Sequence, residues 1–150
     1  MKAMTGYALL LALALLPLGA LAEEARYTTH IRPLFEAKCR GCHGPDSPEY
    51  PEFVERKKQY AERSKGPKMD SYAHLLYFIG WPDTGALMRR LDDGKNSKEG
   101  KPGNMYQYLG ANDEERQKNL MSFREWVGNW TLERWPEITK EEMNGIKVRY

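Results

Sequence analysis

The chain of 150 residues holds only two cysteines, Cys39 and Cys42, and the residue after the second is His43, in the stretch "KCRGCHGP". That spacing limits what the chain can build around itself. Two thiols three positions apart at the end of a helix present both sulfurs to one edge of a flat partner, and the adjoining imidazole lies beneath its centre. Each thiol can add to one vinyl group of a haem, giving two thioethers, while His43 reaches the iron from the same side. Two other uses compete. A thiol–disulfide oxidoreductase has a CxxC pair, but it gives His43 no task and expects a βαβ pattern that is absent here. A structural zinc site needs four ligands, and Cys39, Cys42 and His43 have no obvious fourth.

The compartment bears on that choice. Met1 and Lys2 give a short positive start, residues 7–16 are almost entirely Leu and Ala, and Ala20-Leu21-Ala22 is a small-x-small cleavage pattern. Residues 1–22 therefore read as a secretory signal peptide, and their apolar run is shorter than the roughly 20 residues that span a bilayer. The mature chain, residues 23–150, is then expected to be one domain, exported to a bacterial periplasm. Removing Lys2 from 23 basic and 21 acidic residues leaves 22 against 21, a net charge of +1. Such a balance makes no case for nucleic acid or a membrane surface as partner.

The periodicity is helical throughout, and the expected class is all-α. Ile31, Leu34, Phe35 and Lys38 mark a helix over 29–38 that runs into the cysteine pair, provided that Pro33 falls in its first turn. A second helix begins at Asp70 or Ser71 and stops at Gly80; a third follows Thr84 and ends at Gly94. "GKNSKEGKPGNMYQYLG" (94–110), with four glycines and a proline, is a loop around Met105. Asn112 with Glu115 resembles a capping box ahead of the strongest helix, through Leu120, Phe123, Val127 and Trp130. Thr139 with Glu142 repeats the capping pair in the tail. "ERKKQYAERSKGPK" (55–68) has six basic and two acidic residues and no apolar face, and reads as a solvated insertion within the polar stretch 47–68.

The segment "IRPLFEAKCRGCHG", followed in order by "MDSYAHLLYFI", "GALMRRLDDG", a Gly/Pro loop with one Met and an aromatic-rich last helix, resembles class I cytochrome c over most of residues 27–130. The resemblance implies the class I cytochrome c fold, with its first and last helices packed around one covalent haem c. It places their crossing near Gly41, with Phe35 against Phe123 or Trp126. It also implies Cys39 and Cys42 as the thioether residues, His43 as proximal iron ligand and Met105 as distal ligand. The residues themselves favour a thioether on a loop over Met88 and Met121, which fall in helical patterns, and leave Met69, His74 and His30 as alternatives. Tyr72, Tyr77, Trp81, Tyr106 and Tyr108 are candidates to line the haem, and Arg89 and Arg90 to pair with its propionates. The polar stretch 47–68 and the extension 131–150 depart from the family pattern.

With His and Met on the iron no substrate position stays open, so the implied function is one-electron transfer between redox partner proteins by a monomer, not catalysis. Lys38, Arg40, Lys95, Lys98 and Lys101 would form a positive rim that steers acidic partners. Two alternatives stand beside the carrier: a cytochrome subunit dedicated to one oxidoreductase, docked through the tail from Thr131, and a haem enzyme or ligand sensor with a labile sixth position.

Overall fold

A computed structural model describes residues 23–150, and the signal-peptide reading of residues 1–22 lies outside them. Helices carry the described chain, and no strand forms among the described residues beyond an isolated bridge between Gly128 and Ile146. None of the described helices is long and apolar enough to cross a membrane. The all-α class is therefore what the periodicity indicated.

A π-helical turn, Tyr27–Ile31, opens the fold and passes directly into α1, Arg32–Lys38. Pro33 is the second residue of α1, and the bonds of the π-helical turn, Ile31 N–H on Arg26 O and Arg32 N–H on Tyr27 O, end just before it. After a break at Cys39, α2, Arg40–His43, is a single turn that carries Cys42 and His43. The polar stretch forms two short helices, α3 (Tyr50–Glu55) and α4 (Lys57–Glu62). Ser71 caps α5, Tyr72–Tyr77, by accepting the His74 N–H. The third expected helix, α6, is Ala86–Leu91 and ends before Asp92 rather than at Gly94.

Asn112 accepts the Glu115 N–H at the start of α7, Asp113–Val127, the long helix of the molecule. It ends three residues short of Trp130, because the chain reverses at Gly128, where φ is +80°. Thr139 and Glu142 make a complete capping box for α8, Lys140–Asn144. The core gathers one face of each longer element: Ile31, Phe35, Leu75, Ile79, Met88, Leu120, Phe123, Trp126 and Val127 are all buried. A buried side chain of this size contributes about 1.5–3 kcal/mol, so α7 alone supplies much of the apolar driving force.

The helix crossing differs from the expectation in place. The α7 helix packs against the turn Tyr27–Ile31, upstream of the CxxCH residues. Tyr27 lies 6.2 Å from Trp126 between ring centroids, and Tyr72 lies 6.4 Å from the same indole.

The extension after Trp130 is built into this aromatic cluster. Lys147 N–H donates to Val127 O at 2.8 Å and Val148 N–H to Trp126 O at 3.0 Å. The Arg149 carbonyl accepts from both Tyr27 N–H, at 2.8 Å, and the Trp126 indole, at 2.7 Å. Tyr72 donates its hydroxyl to Val148 O at 2.7 Å, and Tyr150 stacks on Tyr27 with centroids 5.7 Å apart. Truncation after Gly145 would leave the buried indole N–H unpartnered and remove several backbone bonds. We expect it to cost about 3 kcal/mol and lower the thermal midpoint by roughly 10 °C, measured by circular dichroism; an unchanged midpoint would reduce the tail to surface decoration.

Candidate functional site

The CxxCH residues come together on the break between α1 and α2. The Cys39 N–H closes α1 on Phe35 O at 2.8 Å, and the N–H groups of Cys42 and His43 both return to Cys39 O, at 3.2 and 3.0 Å. Cys39 is half-buried and Cys42 exposed, with no disulfide between them. Burial, and next the neighbouring Cys42, push the Cys39 thiol up to about 11. A disulfide oxidoreductase needs a nucleophilic thiolate with a lowered pKa, so this environment argues against that use. Among the described residues no three His, Cys, Asp or Glu side chains converge as metal ligands, which leaves a zinc site without a ligand set.

His43 is held by a segment that the sequence alone gave no task. Its Nδ1 lies 2.8 Å from the carbonyl oxygen of Pro67. A carbonyl can only accept, so Nδ1 carries the proton and Nε2 keeps a free lone pair. Burial lowers the His43 pKa, with the Pro67 hydrogen bond pulling weakly the other way, and the neutral imidazole is the resting form. The contact is fixed from both sides by backbone: Gly66 N–H donates to Cys42 O at 2.8 Å, and Met69 N–H to His43 O at 2.9 Å. Ser47 Oγ adds a bond to Cys42 O at 2.9 Å, and Lys65 Nζ one to Gly41 O at 3.0 Å.

Gly66 makes this approach possible. A Cβ there would lie 2.6 Å from His43 Nδ1 and 2.9 Å from Nε2, closer than carbon and nitrogen tolerate. The basic stretch thus has two parts. Arg56, Lys57, Lys58 and Arg63 are exposed, as a solvated face should be, while Gly66 to Met69 are partly buried and support the imidazole. A Gly-Pro pair closing an otherwise charged run was the visible signal for this role.

Met105 lies at the far end of its loop, half-buried against the core, immediately before the 3₁₀ turn Tyr106–Leu109. Its N–H donates to Arg90 O at 2.9 Å, which fixes its backbone to the end of α6. The alternatives sit elsewhere. Met69 donates its backbone N–H to His43 O at 2.9 Å and is half-buried against the core. His74 lies between Asp70, at 3.1 Å, and Glu49, at 3.5 Å, and His30 Nδ1 faces Thr29 Oγ1 at 2.8 Å and the Arg26 N–H. Met88 is fully buried in the core, and Met121 is half exposed on α7.

The secondary candidates divide. Arg89 donates to the carbonyls of Thr84, at 2.8 Å, and Leu132, at 3.0 Å, and to Asp83, so its guanidinium is occupied by the protein; Arg90 is exposed beside Asn104. Tyr72 belongs to the aromatic cluster of the tail, Tyr77 packs on Tyr50 at 5.3 Å, and Tyr106 accepts from Gln117 at 2.8 Å. Trp81 and Tyr108 are largely exposed. Of the lysine rim, Lys38 is paired with Glu115 and Lys95 with Asp93, and Arg40 is paired with Glu36.

Asp93, at the start of the Met105 loop, is the other side chain that sequence reasoning passed over. Burial alone would raise its carboxyl, but hydrogen bonds from Lys95 and Gln117 and the Arg124 charge outweigh it and hold it to about 2.

Two comparisons with known proteins find a match. A family model described as PccH Cytochrome c matches residues 26–150. Among solved structures the chain is similar to the monoheme cytochrome PccH from Geobacter sulfurreducens, with 54% sequence identity, 85% of this chain and 99% of that chain covered, and a TM-score of 0.79. No curated protein matches the chain.

Two outcomes follow from this geometry. Gly66→Ala should displace either the His43 ring or the Gly66–Pro67 backbone and destabilise the protein by about 2 kcal/mol, read as a lower midpoint in chemical denaturation; a wild-type midpoint would contradict the close approach. Because the folded pKa of Asp93 is depressed, its stabilisation is present above the ordinary value near 3.8 and is lost as pH falls toward about 2. Near-UV circular dichroism should therefore change over that window, and Asp93→Asn should remove that part of the acid transition.

Proposed function

Given that the chain belongs to the PccH cytochrome c family and carries that family's single covalent haem c, we propose that it is an exported, periplasmic, monomeric carrier of single electrons between redox partner proteins. The observation that carries the reading is the His43 imidazole, with its Nδ1 proton committed to Pro67 O and its Nε2 left as a donor. A metal-bound histidine whose other nitrogen bonds a carbonyl is fixed in both tautomer and orientation, and its basicity is raised.

The residues present fit the group. Cys39 and Cys42 are the two thiols that would form the thioethers, free and at the spacing that two vinyl groups require. His43 would be the proximal ligand and Met105 the distal one. Met69, the serious competitor, has its backbone N–H tied to His43 O, within the segment that supports the histidine. Bound there, the haem supplies one-electron chemistry between ferric and ferrous iron, and a thioether sulfur opposite imidazole raises the potential relative to a second imidazole.

The protein's own part is to change little when the charge changes. Pro67 O and the close-packed Gly66 prevent rotation of the His43 ring, and Arg90 O fixes the backbone of Met105. With His43 and Met105 as its ligands the iron would offer no position to a substrate, which favours a carrier over an enzyme or gas sensor. The tail, which the alternative reading would use to dock to one oxidoreductase, is engaged with Tyr27, Tyr72 and Trp126.

Material matured with its haem-attachment machinery should have the mass of the polypeptide from Glu23 plus one haem. Cys39→Ser and Cys42→Ser should each break one thioether and His43→Ala the proximal bond, while Met105→Ala should abolish the methionine-to-iron charge-transfer band and admit carbon monoxide to the reduced protein. Rapid carbon monoxide binding by the unaltered protein would refute the carrier, and a bare peptide mass would refute the haem itself.

A further inference from the structure

The residue that follows α6 is a buried carboxylate with an unusual number of partners. Asp92 is 1% exposed. Its Oδ1 accepts from Gly94 N–H at 2.8 Å and Asn96 N–H at 3.3 Å. Its Oδ2 accepts from Asn96 Nδ2 at 2.8 Å, the Trp130 indole at 2.9 Å and Arg124 at 3.3 Å. The Asp92 main-chain carbonyl in turn accepts Gly103 N–H at 2.8 Å. One residue therefore holds both the first turn and the last turn of the loop that ends in Met105.

The loop lies tight on this anchor. A Cβ on Gly103 would run into the carbonyls of Arg89 and Arg90, so the returning chain touches the end of α6 with no space for a side chain. Gly94, at φ +93°, faces the backbone of Gly100 and Pro102. On the other side of Met105, Gln117 bridges Tyr106 Oη, at 2.8 Å, and Asp93 Oδ2, at 3.1 Å. Arg124, placed over the Trp130 ring at 5.4 Å, contacts both aspartates and so brings α7 and the residue past its end into the same network.

Burying a carboxylate is costly unless it is paired and hydrogen-bonded. For Asp92, burial would raise the carboxyl, and the bonds from Asn96, Trp130 and Gly94 outweigh it, so the charge persists at neutral pH. An apolar residue of similar size would often give equal or greater stability. What such a residue cannot do is choose one loop conformation, because it offers Gly94, Asn96 and Trp130 no acceptor.

We propose that Asp92, bonded to Gly94, Asn96, Trp130 and Arg124, is a positioning residue that fixes the loop presenting the Met105 sulfur to the iron. The inference rests on the assignment of Met105 as distal ligand. Asp92 touches neither iron nor sulfur; it acts through the loop, as the outer-shell partners of other metal ligands do. Asp92→Asn is the direct variant, since it sets an amide N–H group against the donors of Trp130, Asn96 and Arg124. Asn96→Ala, on the exposed side of the loop, removes only the bond at 2.8 Å and decides the matter if Asp92→Asn does not mature.

In the haem-loaded protein, Asp92→Asn should weaken the methionine-to-iron charge-transfer band and raise the rate of carbon monoxide binding to the reduced form by about tenfold, the loss of one buried charge-assisted hydrogen bond. Asn96→Ala should move both readouts in the same direction by less. Asp113→Asn, which alters an exposed partner of Arg116, should move neither. A lowered thermal midpoint with the band and the carbon monoxide rate of wild type, in Asp92→Asn and Asn96→Ala alike, would assign Asp92 to stability alone and overturn the proposal. If Met105→Ala keeps the band, the ligand assignment itself fails and the proposal falls with it, so the two failures are told apart by that single variant.

Discussion

A carbonyl oxygen accepts hydrogen bonds and never donates them, and that asymmetry at Pro67 sets the chemistry of the site. With the Nδ1 proton directed to Pro67 O, the His43 lone pair is fixed on Nε2 and the ring plane is fixed with it. The contact depends on Gly66, because any side chain there would occupy the space of the ring. It also depends on the pairing of Gly66 with Cys42 and of Met69 with His43, which lays residues 66–69 along the CxxCH turn. The polar stretch between them, α3 and α4, is free to be charged and exposed because its ends alone carry this duty.

The same economy governs the Met105 loop. Helix α6 is six residues long, too short to be stable on its own. Its C-terminal carbonyls are nevertheless satisfied, by Met105 N–H on Arg90 O and Gly103 N–H on Asp92 O. The loop thus caps the helix, and the helix holds the loop. A Gly/Pro-rich segment that looks unstructured by composition is in this way made as determinate as a helix, as the role proposed for Met105 would require.

Local signals in the sequence were reliable wherever the cause was local. Ser71, Asn112 and Thr139 cap the helices that their side chains mark, and Pro33 lies at the junction of the opening π-helical turn with α1. The CxxCH turn is legible for the same reason, since its chemistry is written in five consecutive residues. What could not be read are pairings over long separations. Pro67 meets His43 across 24 positions, Trp130 meets Asp92 across 38, and Tyr72 meets Val148 across 76. No periodicity reports such contacts. The resemblance placed the crossing near Gly41, yet α7 meets the turn Tyr27–Ile31, with the rings of Tyr27 and Trp126 at the contact.

The extension past Trp130 shows why the long-range pairings matter to the site. Its first residues reach α6, where Leu132 O accepts from Arg89, and its last residues close over Tyr27 and Trp126. Arg89 is therefore drawn away from the role of anion partner that its sequence position suggested, and becomes a strut between α6 and the extension. Trp130, which ends the apolar stripe of α7 in the sequence, lies instead beyond the helix end with its N–H on Asp92. Both residues look like independent candidates when read along the chain. In the fold they belong to one connection, running from the aromatic cluster at the helix crossing, through the extension, to the base of the methionine loop. The tail is thus connected to the base of the Met105 loop, and also, through the Tyr72 hydroxyl on Val148 O, to the helix that follows the segment supporting His43.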